Sequence, residues 1–261
     1  MELRAPSHWR CIDIISDLHL QAGDAATHAA WADYLGATRA DAVLVLGDLF
    51  EVWVGDDALQ QPGSFEAGCA AVLRQAGQRL ALYIMQGNRD FLMGPALMAA
   101  CQASALPDPT VLVFAGQRWL LSHGDALCLD DHDYQQFRRQ VRSAAWQQDF
   151  LAKPLAERQA IARAIRQQSA SRQRTSPSYA DVDGAAALAL LAQHQASHLI
   201  HGHTHRPAEH LLAPTIRRSV LSDWDANATP PRAEVLRLTL ADGGGANLAR
   251  IPAALIASSA G

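Results

Sequence analysis

Short apolar runs recur along the first hundred residues, and each is followed by a polar cluster. Three of these runs, at residues 12–16, 42–46 and 80–85, have the length of buried strands. The stretches between them, at residues 24–38 and 66–78, have a helix-like pattern. This alternation predicts βαβ units around a sheet with parallel strands.

A second group of apolar runs begins near residue 110. Five further strands are predicted there, at residues 111–114, 119–122, 198–200, 216–221 and 235–240. The pattern as a whole therefore predicts an α/β fold with two sheets flanked by helices. A length of 261 residues suits one sizeable core, so we expect a single domain over residues 1–261.

Residues 131–173 break the alternation with a long helical pattern that is rich in Gln and Arg. Pro154 interrupts the pattern, and because proline is accepted in the first turn of a helix, we expect a second helix to open there. We interpret this segment as a helical insertion in the domain. The tail from Gly243 onward is rich in Gly, Ala and Ser, and its last residues are expected to be disordered.

The charge of the chain is unevenly distributed. Its net charge is −4, yet residues 134–180 hold nine basic and two acidic side chains, a local charge of +7. A basic segment in an acidic protein indicates an anionic partner or surface at that segment.

The four cysteines include no C-x-x-C pair, which argues against a zinc ribbon or a redox dithiol and fits a reducing compartment. The N-terminal residues have no signal-peptide pattern, and no apolar stretch approaches the length of a membrane span. We therefore expect a cytoplasmic protein that is soluble or peripheral to a membrane.

Polar clusters that could carry chemistry follow the predicted strands at five places. They are S-D-L-H with Asp17 and His19, G-D-L-F-E with Asp48, G-N-R-D with Asn88, H-G-D with His123, and G-H-T-H with His203 and His205. Ligands of open α/β sheets gather beyond the carboxyl ends of the strands, so we expect these seven side chains to converge. In D-x-H and H-x-H, a separation of two positions directs both side chains to one side of extended backbone.

The seven side chains offer oxygen and imidazole donors and no thiolate. This set suits Mn²⁺, accepts iron, zinc or magnesium, and excludes a structural tetrathiolate zinc site. Seven ligands are too many for one ion but fit two divalent ions that share a bridging carboxylate, for which Asp48 is the natural candidate. Each cluster alone would more often be a cap or a turn. Five of them at strand ends of one chain favour the metal site.

The remaining histidines lack such a context. We expect ordinary surface or core roles for His8, His28, His132, His194, His198 and His210. His201 lies near the cluster, and we expect it to pack there or to hydrogen-bond a ligand.

The five ordered motifs resemble the calcineurin-like metallophosphoesterase superfamily and, more narrowly, the family of UDP-2,3-diacylglucosamine diphosphatases of lipid A biosynthesis. The narrower resemblance rests on segments 47–57, 83–94, 123–131 and 199–207 and covers residues 10–240. It implies a four-layer αββα sandwich of two mixed sheets, with residues 131–173 as a helical lid.

The resemblance also implies roles for single residues. One ion would be held by Asp17, His19, Asp48 and His205, and the other by Asp48, Asn88, His123 and His203. Catalysis would depend on Asp48, Asn88, Arg89 and His123, and substrate contacts would come from Asn88, Arg89, Asp131, Ser169 and His203. Where the family has an Asn and a Lys-Ser pair, this chain has Gln173, Thr175 and Ser176. We expect Gln173 and Thr175 to contact the substrate.

The implied reaction is hydrolysis of the diphosphate bond of UDP-2,3-diacylglucosamine to UMP and 2,3-diacylglucosamine 1-phosphate. Many members of the superfamily have a general-acid histidine after the metal-binding asparagine, whereas this chain has Arg89, which cannot usefully give up a proton. A phosphate leaving group needs no proton, which fits the replacement. The alternative that Arg89 only binds substrate charge remains open.

The implied partners are this lipid-linked sugar nucleotide, two Mn²⁺ ions and the anionic cytoplasmic face of the inner membrane, with no nucleic acid. On a helical wheel, one apolar stripe of the insertion would pack on the body, with Tyr134, Phe137, Val141 and Ala145. Trp146 and Phe150 lie on another side and are expected to serve the acyl chains. The alternative is that they pack against the second helix.

Other functions fit the same motifs. A nuclease, a phosphodiesterase or a protein phosphatase would share the metal site, and a nuclease could hold nucleic acid on the basic segment. A non-enzymatic scaffold of the same fold would be expected to have lost ligands, and none of the seven is missing.

Overall fold

The computed structural model describes residues 1–175 and 181–258, with only the backbone described for residues 168–175. The strands are β1 (Glu2–Arg4), β2 (Cys11–Ile15), β3 (Ala42–Leu46), β4 (Ala81–Met85), β5 (Ser104–Ala105), β6 (Thr110–Phe114), β7 (Gln117–Ser122), β8 (His198–His201), β9 (Ala208–Ala213), β10 (Ile216–Val220), β11 (Glu234–Leu240) and β12 (Ala246–Pro252). The α-helices are α1 (Ala25–Ala37), α2 (Phe65–Gly77), α3 (Pro95–Cys101), α4 (His132–Val141), α5 (Ala144–Leu151), α6 (Leu155–Thr175), α7 (Gly184–Gln193) and α8 (Ala253–Ser258).

The strands form two mixed sheets. The first has the order β12-β11-β2-β3-β4-β5, in which β2 to β5 are parallel and β11 is antiparallel to both neighbours. The second has the order β1-β6-β7-β8-β10-β9, in which β6 pairs antiparallel with β7 and β9 with β10. All eight predicted strands are confirmed. The four strands that the pattern missed, β1, β5, β9 and β12, are the four edges of the two sheets.

Alternating side chains of the strands build the layers on either side of each sheet. On β3, Leu44 joins the core between the two sheets, whereas Val43 and Val45 face the cluster that contains Trp31 of α1 and Leu73 of α2. The second sheet has the same alternation, and its outer face packs against α7. Helices therefore cover both outer faces, and the predicted four-layer αββα sandwich is confirmed.

The segment predicted as a helical insertion forms three helices, α4, α5 and α6. The break that the pattern missed lies at Ser143, whose side chain accepts a hydrogen bond from the backbone N–H of Trp146 and so caps α5. The predicted second helix, α6, begins directly after Pro154. Because α4 ends at Val141, the predicted single stripe through Ala145 is wrong, and Ala145 is exposed.

Trp146 and Phe150 pack within the protein. Their rings stack at a centroid distance of 4.7 Å, and Phe150 is only 6% exposed in the core that underlies α1 and α2. Trp146 and Ile161 of α6 pack against the same core. The structure thus favours the alternative in which these two aromatic side chains pack against the second helix.

The C-terminal tail contains two elements that the sequence pattern did not predict. Residues after Gly243 form β12, which pairs with β11 over its full length, and α8, whose Ile256 is buried in the core. The last residues, expected to be disordered, lie outside the described part of the chain. Within residues 1–175 and 181–258, every helix is too short or too polar to cross a membrane.

Candidate metal centre

Five loops meet at one edge of the sandwich, where β2, β3, β4, β7 and β8 end. Backbone hydrogen bonds join these loops: the N–H of His19 donates to the carbonyl of Asp48 at 3.1 Å, and the N–H of Gly202 donates to the carbonyl of His123 at 3.0 Å. All seven predicted ligands come from these loops. The structure therefore brings together side chains that are up to 188 positions apart in the sequence.

Five of the seven have left-handed backbone conformations, with φ between 49° and 65°: Asp17, His19, Asp48, His203 and His205. Such conformations are rare for residues other than glycine and concentrate at functional sites. Glycines allow the loops to approach one another. A Cβ on Gly87 would lie 2.1 Å from Asp48 Oδ1, and one on Gly202 would lie 2.2 Å from Asp17 Oδ2.

Three side chains converge in one part of the site. His19 Nε2 lies 3.1 Å from His205 Nε2, which in turn lies 3.3 Å from Asp17 Oδ1. Asp17, Asp48 and His123 form a second group, and in each group the donor atoms lie within 4.8 Å of one another. Asp17 belongs to both groups. The bridging role assigned to Asp48 remains a prediction.

Asn88 joins the remaining histidines. Its Oδ1 lies 2.9 Å from His123 Nε2 and 2.8 Å from His203 Nδ1. His123 Nδ1 donates to the carbonyl of Leu46 at 2.9 Å, which leaves Nε2 to face the centre. This tautomer suits a metal ligand, because a hydrogen bond at one ring nitrogen frees the lone pair of the other.

The buried polar atoms of the site fit divalent ions. Asp17 Oδ2 accepts hydrogen bonds from Ser16 Oγ at 2.6 Å and from the N–H of His203 at 2.9 Å, whereas Asp17 Oδ1 is buried and has His205 Nε2 3.3 Å away. Carboxylate and imidazole lone pairs thus face each other away from water, an arrangement that costs free energy unless cations balance it.

The pKa values of the acidic and histidine side chains are consistent with the binding of divalent cations at this centre. Burial raises the pKa of Asp48, whereas the histidines around Asp17 outweigh its burial and hold the pKa of Asp17 well below the ordinary value. Burial opposes a charge on His123, yet the surrounding carboxylates outweigh it and raise its pKa to about 9. Metal binding would displace this proton, since a ligand histidine must be neutral.

Comparisons with known proteins identify the family. The family described as calcineurin-like phosphoesterase matches residues 12–207. A UDP-2,3-diacylglucosamine hydrolase of Chromobacterium violaceum is 49% identical over 217 residues, which are 82% of this chain and 90% of that protein. The chain belongs to this family of calcineurin-like phosphoesterases. The enzyme of the same name from Bordetella pertussis is 43% identical over 226 residues, 84% of this chain and 88% of that protein.

The predicted superfamily and narrower family of this phosphoesterase are thereby confirmed. Among solved structures, it is similar to one described as a novel archaeal phosphodiesterase. That similarity has a TM-score of 0.45 at 11% identity and covers 92% of this chain and 99% of the other.

Arg89 of the phosphoesterase lies at the edge of the metal centre. Its backbone N–H donates to Asp48 Oδ1 at 2.9 Å, and its Nε lies 3.4 Å from Asp48 Oδ2. Its Nη1 donates to both carboxylate oxygens of Glu51 at 2.5 Å, and Arg166 of α6 donates to the same carboxylate at 2.9 Å and 3.0 Å. Two guanidinium groups therefore share one carboxylate beside the centre.

Glu51 and Arg166 were not among the predicted site residues, although Glu51 ends the G-D-L-F-E motif. Glu51 Oε2 lies 3.5 Å from His19 Nδ1, and Asp223 Oδ2 lies 4.0 Å from His205 Nδ1. Both distances are too long for a hydrogen bond, so each carboxylate is a neighbouring negative charge of the histidine and not a hydrogen-bonded partner. Asp223 follows β10 without a motif around it, so the sequence offered no signal for it.

Of the predicted substrate residues outside the motif loops, the structure describes the side chain of Asp131 only. Asp131 is exposed at the start of α4, where its side chain accepts a hydrogen bond from the N–H of Tyr134 at 3.0 Å. The side chains of Ser169, Gln173 and Thr175 lie outside the described part of the chain, as does Ser176. His201 is buried beside the centre, and its Nδ1 donates to the carbonyl of Gly202 at 2.8 Å, in keeping with a packing role.

Proposed function

We propose that this phosphoesterase hydrolyses the diphosphate of UDP-2,3-diacylglucosamine to UMP and 2,3-diacylglucosamine 1-phosphate, a step of lipid A biosynthesis. The observation that carries the proposal is the place of Arg89, whose guanidinium lies between Asp48 and Glu51 at the candidate metal centre. A fixed cation at this point suits a substrate with two phosphates. The names of the relatives support the same substrate.

The seven converging side chains would hold two divalent ions, for which Mn²⁺ suits the donor set. Asp17, His19, Asp48 and His205 would hold one ion, and Asp48, Asn88, His123 and His203 the other. When bound, such a pair of ions lowers the pKa of a water molecule and neutralises charge on phosphoryl oxygens.

The chain's own residues would position the diphosphate and stabilise its charge. Water attacks the uridine-side phosphorus, and the bond from that phosphorus to the bridging oxygen breaks. The leaving lipid 1-phosphate takes the electron pair and needs no proton, so Arg89 can serve catalysis by charge alone. Arg89 and Arg166, which share Glu51, would exchange that partner for phosphate oxygens.

The helical segment α4 to α6 would act as a lid over the substrate. Its contacts with the centre support this role, because Tyr134 of α4 stacks on His203 at 5.9 Å and Arg142 donates to the carbonyl of Gly87 at 2.8 Å. Asp131, Ser169, Gln173 and Thr175 would contact the substrate from the same segment. Exposed basic side chains of the segment, such as those of Arg139 and Arg163, would be attracted to the cytoplasmic face of the inner membrane by about 1 kcal/mol each near the surface.

Turnover of three substrate classes tests the proposal. The purified protein with Mn²⁺ is assayed on UDP-2,3-diacylglucosamine, on oligonucleotides and on a phosphoprotein, with the Asp48→Ala variant as a control for contaminating activity. We expect turnover of the sugar nucleotide only, with UMP as a product. Preferred hydrolysis of oligonucleotides or phosphoprotein would instead assign the centre to one of the alternative reactions and contradict the proposal.

A further inference from the structure

A buried carboxylate outside the predicted ligand set ties α4 to the loop of the H-G-D motif. Asp125, two positions after His123, is 0% exposed. Its Oδ2 accepts hydrogen bonds from Tyr134 Oη at 2.5 Å and from Arg138 Nε at 2.7 Å, and its carbonyl accepts one from Gln135 Nε2 at 2.7 Å. Three side chains of α4 therefore converge on one residue.

The spacing along α4 explains this convergence. Tyr134 and Arg138 are four positions apart, which places them one above the other on the same face of the helix. Arg138 balances the charge of Asp125 in surroundings where an unpaired carboxylate would be costly. Tyr134 is fixed from two sides, because its backbone N–H also donates to the capping side chain of Asp131.

The aromatic ring that is held in this way covers His203. The rings of Tyr134 and His203 stack with centroids 5.9 Å apart and an interplanar angle of 30°. His123 contacts the same imidazole edge-on at 5.1 Å. In this orientation His203 Nδ1 lies 2.8 Å from Asn88 Oδ1. A rotation of the imidazole about its Cβ–Cγ bond would carry Nδ1 away from Asn88 and would lose the stacking contact.

We infer that Tyr134 is a positioning residue for His203, and that Asp125 and Arg138 hold its ring in place. The inference rests on the proposed metal centre, because it concerns the direction in which His203 presents its ring nitrogen. Tyr134 and Arg138 thus have a role in the metal centre that is separate from any contact with the substrate.

Binding of Mn²⁺ to the metal-free protein, followed by calorimetry, tests the inference without substrate. Tyr134→Leu removes the ring, Tyr134→Phe keeps the ring and removes the hydroxyl, and Arg138→Gln removes the cation. Arg139→Gln is the matched control. Arg139 is the next residue of the same helix and is exposed, and its replacement by glutamine removes the same charge. Stacking energies of aromatic pairs correspond to a roughly two- to tenfold loss of affinity in one binding step for Tyr134→Leu. We expect smaller losses for Tyr134→Phe and Arg138→Gln, and none for Arg139→Gln.

The imidazole resonances of His203 in the metal-free protein provide the second readout, because a stacked ring shifts them. They should move in Tyr134→Leu and stay in place in Arg139→Gln. Unchanged Mn²⁺ affinity and unchanged His203 resonances in Tyr134→Leu, with only a lower melting temperature, would overturn the inference. If Tyr134→Leu does not fold, Tyr134→Phe and Arg138→Gln measured against Arg139→Gln decide the question. Wild-type protein that binds no Mn²⁺ would instead overturn the proposed metal centre itself, and the inference with it.

Discussion

At the scale of single residues, the convergence of the seven candidate ligands was predictable, because each of them follows a strand that the hydrophobic pattern predicts. A carboxylate or an imidazole directly after a strand has few places to point, so the end of the strand locates it. Residues that support the centre from a distance have no such signature. Asp223 and Arg166 lie near the centre through the packing of β10 and α6, which no local pattern in the sequence specifies.

Asp48 and Asp17 differ in what the proposed centre requires of them. Asp48 would be a ligand of both ions and Asp17 of one. Asp48→Ala should therefore lower kcat/KM at least as much as Asp17→Ala, and by at least roughly 100-fold. Steady-state kinetics at saturating Mn²⁺, with circular dichroism to check folding, measure the difference. A variant Asp48→Ala that is clearly more active than Asp17→Ala would contradict the shared-ligand role.

Substitutions of Arg89 distinguish two roles that its side chain could have in catalysis, stabilisation of phosphate charge and donation of a proton. Arg89→Ala should lower kcat/KM by roughly 100-fold, because it removes both the cation and the donors. Arg89→Lys should keep part of the activity, since lysine keeps the charge but lacks the planar guanidinium group that can donate two hydrogen bonds to one phosphate. Arg89→His should remain poor on a diphosphate substrate. Recovery of near wild-type rates by Arg89→His would indicate a general acid and contradict the charge-based account.

At the scale of elements, the hydrophobic pattern predicted the central strands but missed the strands at the sheet edges and the break between α4 and α5. Central strands such as β3 are buried on both faces and read as continuous apolar runs. Edge strands such as β9 and β12 alternate between half-buried and exposed positions, so their apolar signal is weak. The extra break between α4 and α5 depends on one capping side chain, that of Ser143.

A buried arginine fixes the beginning of α6. Arg158 is 2% exposed and donates to the carbonyl of Val54 and to the carboxylate of Asp57, whose side chain is 45% exposed. Asp57→Asn should lower the free energy of unfolding by about 1–3 kcal/mol, because it leaves the guanidinium without its countercharge. Urea denaturation measures this value.

The exposed pair of Lys153 and Glu157 in the same region is the matched control. Their side chains are 42% and 48% exposed, so Glu157→Gln should change the free energy of unfolding by less than about 0.5 kcal/mol. Equal effects of Glu157→Gln and Asp57→Asn would show that Arg158 does not anchor α6.

The proposed lid role belongs to the segment α4 to α6 and is tested at Trp146, because Phe150 is too deeply buried to change without harm to the fold. Trp146 stacks on Phe150 and contacts Phe91 at 6.0 Å. If this aromatic surface receives acyl chains, Trp146→Ser should lower kcat/KM at least roughly tenfold more on the diacylated substrate than on a short, water-soluble diphosphate analogue. Equal losses on both substrates would indicate that Trp146 serves only the fold.

At the scale of the whole molecule, the sequence determined more of the architecture than of the chemistry. Eight strands, both sheets and the converging motif loops followed from hydrophobic pattern and position. The stacking of Tyr134 on His203 depends on how the helical segment packs against the sandwich, and Glu51 and Asp223 lie near the histidines because of how the loops after β3 and β10 meet. That packing joins parts of the chain that are distant in sequence, and their pattern alone does not determine how they meet.

The central claim is that water attacks the uridine-side phosphorus of UDP-2,3-diacylglucosamine at this centre. Hydrolysis in H₂¹⁸O with Mn²⁺, followed by mass spectrometry of both products, tests it most directly. The account predicts one ¹⁸O atom in UMP and none in 2,3-diacylglucosamine 1-phosphate, with no turnover after exhaustive chelation. Label in the lipid 1-phosphate, or full turnover in protein shown to be free of metal, would contradict it.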